Sequence, residues 1–230
     1  MTATTTATAP PPDPPRSTAR GLRRRTRTIV QIVVVVVLFG AVALGTKVVS
    51  NSSPLVAGQQ KFSAATFGKN NFPKVQANIV KRAVPAVTLA DALKGSQDAA
   101  AKKYGVPVSG GVGPEVAVSF SGTFGKHDGS GIYNVTVPGL PKAIVVRVQT
   151  GPAINGTDLR DATGKFQFGQ FTNQIDYQNA ASALNNGLKT TVLAKLPSGS
   201  LTGKKVTGVG VFQLINPDGW LLTPAKLSVS

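Results

Sequence analysis

"GKFQFGQFTNQIDYQNAASALNNGL", Gly164–Leu188, is where the chain changes its period. Phe166 and Phe168 alternate with polar residues, the spacing of a strand with both rings on one face. From Tyr177 the apolar residues fall at steps of 4, 3, 4 and 4 through Ala181, Leu184, Leu188 and Val192, the stripe of an amphipathic helix. Asn173, with Asp176 three residues on, supplies an N-cap pattern close to a capping box.

Working outward, "EVAVSFSGTF" (115–124) sets Val116, Val118, Phe120 and Phe124 on one side and Ala117, Ser119, Ser121 and Thr123 on the other, which is a strand. "GKHDGSG" (125–131) reads as a turn, "IYNVTV" (132–137) as a second strand, "KAIVVRVQ" (142–149) as a third and "GKFQFGQF" (164–171) as a fourth. Beyond the helix, "KVTGVGVFQL" (205–214) and "GWLLTPAKLSV" (219–229) are strands joined by the turn "NPDG". Three or four strands, one helix and two strands is the order of a small OB-like Greek-key barrel, mainly β with α+β character, whose helix lies between its third and fourth strands. An open α+β sandwich is the competing architecture, because the order of elements does not reveal whether the sheet closes. Ahead of the strands, "PAVTLADALKGSQDAAAKKYG" (85–105) predicts one helix, capped by Thr88 with Asp91 and ended by Gly105, while 61–87 has no clear period.

The N-terminal 28 residues are rich in Thr, Ala, Pro and then Arg, the composition of a disordered tail. "IVQIVVVVVLFGAVALGTKVV", residues 29–49, is 21 residues long, about 31 Å as a helix and enough to cross a bilayer. Six arginines precede it, which by the positive-inside rule keeps the N-terminus cytoplasmic and sends residues 50–60, a polar linker, and the domain 61–230 outside. Ala41 and Ala43 also form an A-x-A site, so a cleaved signal peptide competes with a single-pass anchor; both put the domain outside the cytoplasm.

After those arginines the chain holds 19 Lys and Arg against eight Asp and Glu, a surplus of 11 positive charges. Outside a cell that surplus points to anionic envelope polymers or headgroups rather than to nucleic acid, and a plain solvated surface explains it as well. The chain has no cysteine and one histidine, so no disulfide framework or thiolate zinc site is possible, and no cofactor is implied.

No catalytic constellation stands out, and the chain reads as a protein that is not an enzyme. His127 and Asp128 sit in a glycine-rich turn, and Asp158, Arg160 and Asp161 read as a solvated loop or a local ion pair. One segment has the chemistry of a ligand site: the amides of Asn173, Gln174, Gln178 and Asn179 can hydrogen-bond sugar hydroxyls, and Tyr177 or Trp220 can stack on a pyranose. Spacing alone also gives each a structural role: Asn173 as cap, Tyr177 in the stripe, Gln178 and Asn179 in water, Trp220 as a core plug.

The runs "RDATGKFQFGQFTNQIDYQNAASALNNGLKTTVL" (160–193) and "LTGKKVTGVGVFQLINPDGWLLTPAKL" (201–227) resemble a bacterial family of predicted periplasmic lipoproteins of unknown function. The specific elements are "GQFTNQIDYQ", the Leu184-Asn185 pair and "INPDGWLLTP", and the resemblance extends from about Lys47 to Leu227. It implies an extracytoplasmic, membrane-anchored accessory or binding module encoded beside sugar ABC transporters, and no catalytic residues. With no cysteine to acylate, the chain departs from the lipoprotein pattern, and its apolar segment must anchor it or be cut away. The alternative is an interaction protein held against anionic envelope polymers.

Overall fold

The computed structural model describes residues 62–108, 110 and 112–230; the tail, apolar segment and linker read at 1–28, 29–49 and 50–60 lie outside the described residues. In chain order the elements are helix α1 (Ala64–Arg82), the short strand β1 (Val84–Pro85), α2 (Ala86–Gly95), α3 (Gln97–Tyr104), β2 (Gly105–Val106), β3 (Glu115–His127), β4 (Ile132–Thr136), β5 (Val145–Gln149), the single turn α4 (Asp158–Asp161), α5 (Gln174–Thr191), β6 (Lys205–Gln213) and β7 (Gly219–Val229). Among the described residues no helix is long and apolar enough to cross a membrane.

Five strands close on themselves. β3 pairs antiparallel with β4, β4 with β5, and β6 with β7, while β5 and β7 run parallel. The ring is completed by β3 and β6, antiparallel over nine pairs from Glu115↔Gln213 to Thr123↔Lys205. This is the closed barrel expected from the order of elements, with α5 between the third and fourth barrel strands. Pro224, which has no N–H for a ladder, sits in β7 where the register slips between Val209 and Gly210 of β6.

Two cores follow from the alternation along β3. Val116, Val118, Phe120 and Phe124 point into the barrel with Trp220, Leu222 and Phe212. Ala117 points outward and is buried too, under a helical layer in which Phe72, Val75 and Ile79 of α1 meet Leu184 and Leu188 of α5 and Val211 and Ala225 of the sheet. Each large side chain in that layer contributes about 1.5–3 kcal/mol by leaving water.

α5 keeps the predicted stripe and cap: Asn173 Oδ1 accepts the Asp176 backbone N–H at 2.8 Å, and its amide reaches the Asp176 carboxylate at 3.1 Å. Three expectations need correction. The alternating phenylalanines form no fourth strand; residues 168–170 are a 3₁₀ turn, and Phe166 and Phe168 pack on different partners, Phe67 and Tyr177. The helix expected over 85–105 begins at Ala86 without Thr88 as cap, and it is split at Ser96. There the extended backbone ends α2 while Ser96 Oγ accepts the Ala99 N–H at 3.2 Å and starts α3. The unassigned 61–87 segment holds α1, a 19-residue helix with Pro73 inside it.

α1 and α5 approach through glycines. A Cβ on Gly187 would lie 2.6 Å from Cγ of Phe72, and one on Gly68 2.8 Å from the Ala183 carbonyl oxygen. Gly187→Ala gains up to about 1 kcal/mol of helix propensity, yet the overpacked ring should cost about 1–3 kcal/mol and lower the midpoint of urea unfolding. A midpoint equal to or above the parent's would show that the helix pair is not held at this separation by the glycine.

Candidate functional site

In the segment picked out by sequence, Gln174, Gln178 and Asn179 are exposed along the first turns of α5, with Gln174 and Gln178 one turn apart on the same face, and Asn173 caps the helix. The Tyr177 ring is occupied: the Arg160 guanidinium lies 3.5 Å from its centroid, and Phe168 and Phe171 pack at 5.7 and 5.2 Å. Trp220 is 0% exposed, stacked on Phe212 at 5.3 Å, with its indole N–H donated to the Pro217 carbonyl at 2.8 Å. Its faces are covered, so it is the core plug of the barrel and does not join the amides in one site.

The turn expected over 125–131 is shorter than read: β3 runs on through His127, which pairs with Tyr133, and Asp128 opens the turn. Asp128 Oδ1 accepts from the Ser130 and Ile132 N–H groups and from the Ser130 hydroxyl, which holds its carboxyl below the usual range, and His127 Nδ1 accepts the Gly129 N–H at 3.1 Å.

Of the two readings of Asp158, Arg160 and Asp161, the ion pair is correct and the solvated loop is not. Arg160 grips Asp161 through Nε at 2.7 Å and Nη2 at 2.9 Å, and both residues are buried. Asp158 accepts the Thr223 hydroxyl, and Gln149 Nε2 donates to that hydroxyl at 2.8 Å. Beside them Glu115, at the start of β3, is 1% exposed with Oε2 unpartnered. Burial, with the charges of Asp158 and Asp161 behind it, pushes its carboxyl up to about 9, so Glu115 is neutral at pH 7. Burial also raises Asp158. Asn185 donates to the carbonyls of Ile154 (3.3 Å) and Gly156 (2.8 Å), tying the loop before α4 to α5.

The hollow with convergent polar groups lies elsewhere, on the outer barrel face where the helical layer stops. It holds about 810 Å³ and is bordered by Pro85–Val87 and Val137–Pro138, which adjoin each other along the edge of β3. Register builds its floor: Ser121, Thr207 and Ser228 stand opposite one another on β3, β6 and β7, with the first two hydroxyls 3.2 Å apart. In the next outward row Ser119 and Lys226 flank Val209. Four hydroxyls and one ammonium therefore converge over an apolar bed, the composition of a site that orients a small polar ligand. Sequence reading saw Ser119 and Ser121 on the outer side of a strand, but the partners on β6 and β7 depend on a register that no local pattern states. A second hollow, about 650 Å³ between α1 and α5, is floored by Gly68, Phe72, Ala183 and Gly187, with Lys69, Asn186, Thr190 and Thr191 as its polar residues.

A closed five-stranded barrel with its helix between the third and fourth strands is an OB-type fold. The chain belongs to the predicted periplasmic lipoprotein family DUF2291, whose model matches residues 32–228. Its fold is similar to that of an OB-fold protein of Thermotoga maritima, with a TM-score of 0.59 and 21% identity over 74% of this chain and 100% of that one. No curated protein matches it.

Glu115 supplies a pH test. Its folded value near 9 against an ordinary 4.5 means that the folded chain keeps a proton the unfolded chain releases between those pH values. Stability is therefore fully present below about pH 4.5 and falls as pH rises toward 9, by at most about 1.4 kcal/mol per pH unit from this group. Glu115→Gln keeps the neutral shape without the proton, so its stability relative to the parent should climb between pH 5 and pH 8 in urea unfolding of the full chain. Parallel pH profiles for the two proteins would mean that Glu115 ionises freely in the folded state.

Proposed function

We propose that the folded part is an extracytoplasmic binding module, held at the membrane by its N-terminal apolar segment, that takes a saccharide-class solute in the trough and works beside a sugar ABC transporter. The observation that carries it is the Ser121–Thr207–Ser228 row over an apolar bed. Hydroxyls both donate and accept, as sugar hydroxyls require, and Val87 and Pro138 give the apolar face of a ring a surface to cover. The trough lies over the first, fourth and fifth barrel strands, whereas OB barrels commonly bind oligosaccharides over the second and third. Family membership supports the extracytoplasmic placement, and the link to a sugar importer comes from the resemblance alone. No residue set on the page supports a catalytic role, and the reading is of a non-enzymatic module.

A specific observation favours a second reading, adhesion to anionic envelope polymers. Glu115 and Asp161 are buried and Asp158 is partly so, leaving five other carboxylates, Asp91, Asp98, Asp128, Asp176 and Asp218, against fourteen lysines from Lys69 to Lys226. Salt separates the two readings, since screening weakens charge attraction and leaves hydroxyl recognition nearly unchanged.

Thermal unfolding of the full chain in detergent, with a panel of neutral saccharides and with polyglycerol phosphate, tests both. A saccharide at a hundredfold excess over its Kd adds about 2.7 kcal/mol to the folded state. Its rise in Tm should persist at high salt and disappear in the Ser121→Ala/Thr207→Val double variant. A rise given only by the polyanion and abolished by salt selects adhesion, and a saccharide shift untouched by the double variant removes the trough from consideration.

A further inference from the structure

Aromatic rings gather where the chain enters the domain. Phe62 packs on Phe67 at 5.5 Å and on Phe171 at 5.7 Å between centroids, and Tyr177 joins through Phe171 and Phe168. The outer side of this cluster is bare: Phe168 is 51% exposed, and Ile175, in the first turn of α5, is 68% exposed.

Two further apolar tips stand at the same end of the barrel. Val112 precedes β3 and is 84% exposed; Ile215 follows β6 and is 57% exposed. The Glu115↔Gln213 pair sets their loops side by side. Val108, in the loop that carries Val112, shares a small crevice with Phe166, Gln167 and Tyr177, which joins that loop to the aromatic cluster. Four separate segments thus present apolar tips at one end, where a water-facing surface would carry polar ones.

We propose that this end of the barrel rests on a phospholipid bilayer, with Phe168 and Ile175 entering the boundary between headgroups and acyl chains. The proposal rests on the anchored reading above. Phe62 lies inside the cluster, and only residues 50–61 separate it in sequence from the end of the bilayer-length apolar run. Even fully extended, those twelve residues span only about 40 Å. A tether of that length keeps the end at which the chain arrives within reach of the membrane. The charges around the tips fit as well: exposed Lys165 adjoins Phe166, and exposed Lys102 and Lys103 close α3 just before β2 pairs with the start of β3. Asp98, one turn before Lys102, and Asp176 and Asp218 are the opposing carboxylates near these lysines. Exposed apolar tips with lysines beside them suit a surface that lies in the interface of a membrane.

The experiment uses the full chain reconstituted in vesicles of phosphatidylcholine and phosphatidylglycerol whose acyl chains are brominated near the headgroup. Bromine quenches tryptophan only at short range, and the native Trp220, 0% exposed in the barrel, is the internal reference. Phe168→Trp should lose about a third or more of its added emission, as expected for a ring at the headgroup boundary. Val80→Trp, about 24 Å along α1 from its first residue, should lose none. Vesicle flotation reads the anchor separately. A chain that floats with Phe168→Trp no more quenched than Trp220 overturns the membrane-facing end and leaves the anchor standing. Equal quenching of the Phe168→Trp and Val80→Trp variants overturns the orientation, as does an unquenched Phe168→Trp emission that shifts blue with protein concentration, the sign of a second copy on the patch. A chain that neither floats nor is quenched overturns both readings.

Discussion

The nine-pair ladder between β3 and β6 is the constraint on which the rest of the structure depends. Once it closes the ring, every second residue of β3 is committed to an interior filled by Phe120, Phe124, Phe212 and Trp220, and a slip of one residue would turn that whole set to the outside. The remaining residues of β3 lie on an outer face that the strand, 13 residues long, carries from beneath the helical layer into the open. Glu115 and Ala117 fall under α1, α4 and α5; Ser119, Ser121 and Thr123 emerge beyond them. The trough is the portion of the barrel wall that the helices leave uncovered, and its hydroxyls are the residues that such a position tolerates.

The residues that make the sequence distinctive are those that hold this arrangement. Leu184 fills the outer core and Asn185 ties down the 154–156 loop; Asn173 caps α5; Tyr177 lies under Arg160; Trp220 plugs the barrel and is fixed by the carbonyl of Pro217 in its own turn. Motif strength here measures geometric demand: an amide or an indole that must meet two partners at once admits few replacements. The hydroxyl row admits many, and it is built from the commonest polar residues of a strand.

That difference explains what was legible in the sequence. The strands from Glu115 onward and α5 announce themselves by period, since each buries one face against a single core, and their order implies the barrel. α1 was not legible. Its stripe of Gly68, Phe72, Val75 and Ile79 has helical spacing, but Pro73 interrupts the pattern and Gly68 shows its purpose only once Ala183 lies against it. The phenylalanines at 166 and 168 imitate a strand because their partners are aromatic rings from α1 and α5, distant in sequence and invisible to a local count. The hydroxyl row was not legible for the same reason: the amides of α5 stand in one local run, whereas Ser121, Thr207 and Ser228 come from three strands that only the register brings together.

The same burial that neutralises Glu115 shapes what the exterior presents. Placing Glu115 and the Arg160–Asp161 pair inside removes two carboxylates from the surface and one guanidinium, while the lysines stay outside. The field they produce is screened within about 8–10 Å at physiological salt. It can hold the domain close to an anionic membrane or polymer, but at that range it distinguishes one polyanion poorly from another. Selection among ligands needs short, directional contacts. The row of hydroxyls beside the apolar border of Pro85–Val87 and Val137–Pro138 can supply them, with Lys226 at its edge as the point where the general attraction of the surface meets a shaped site.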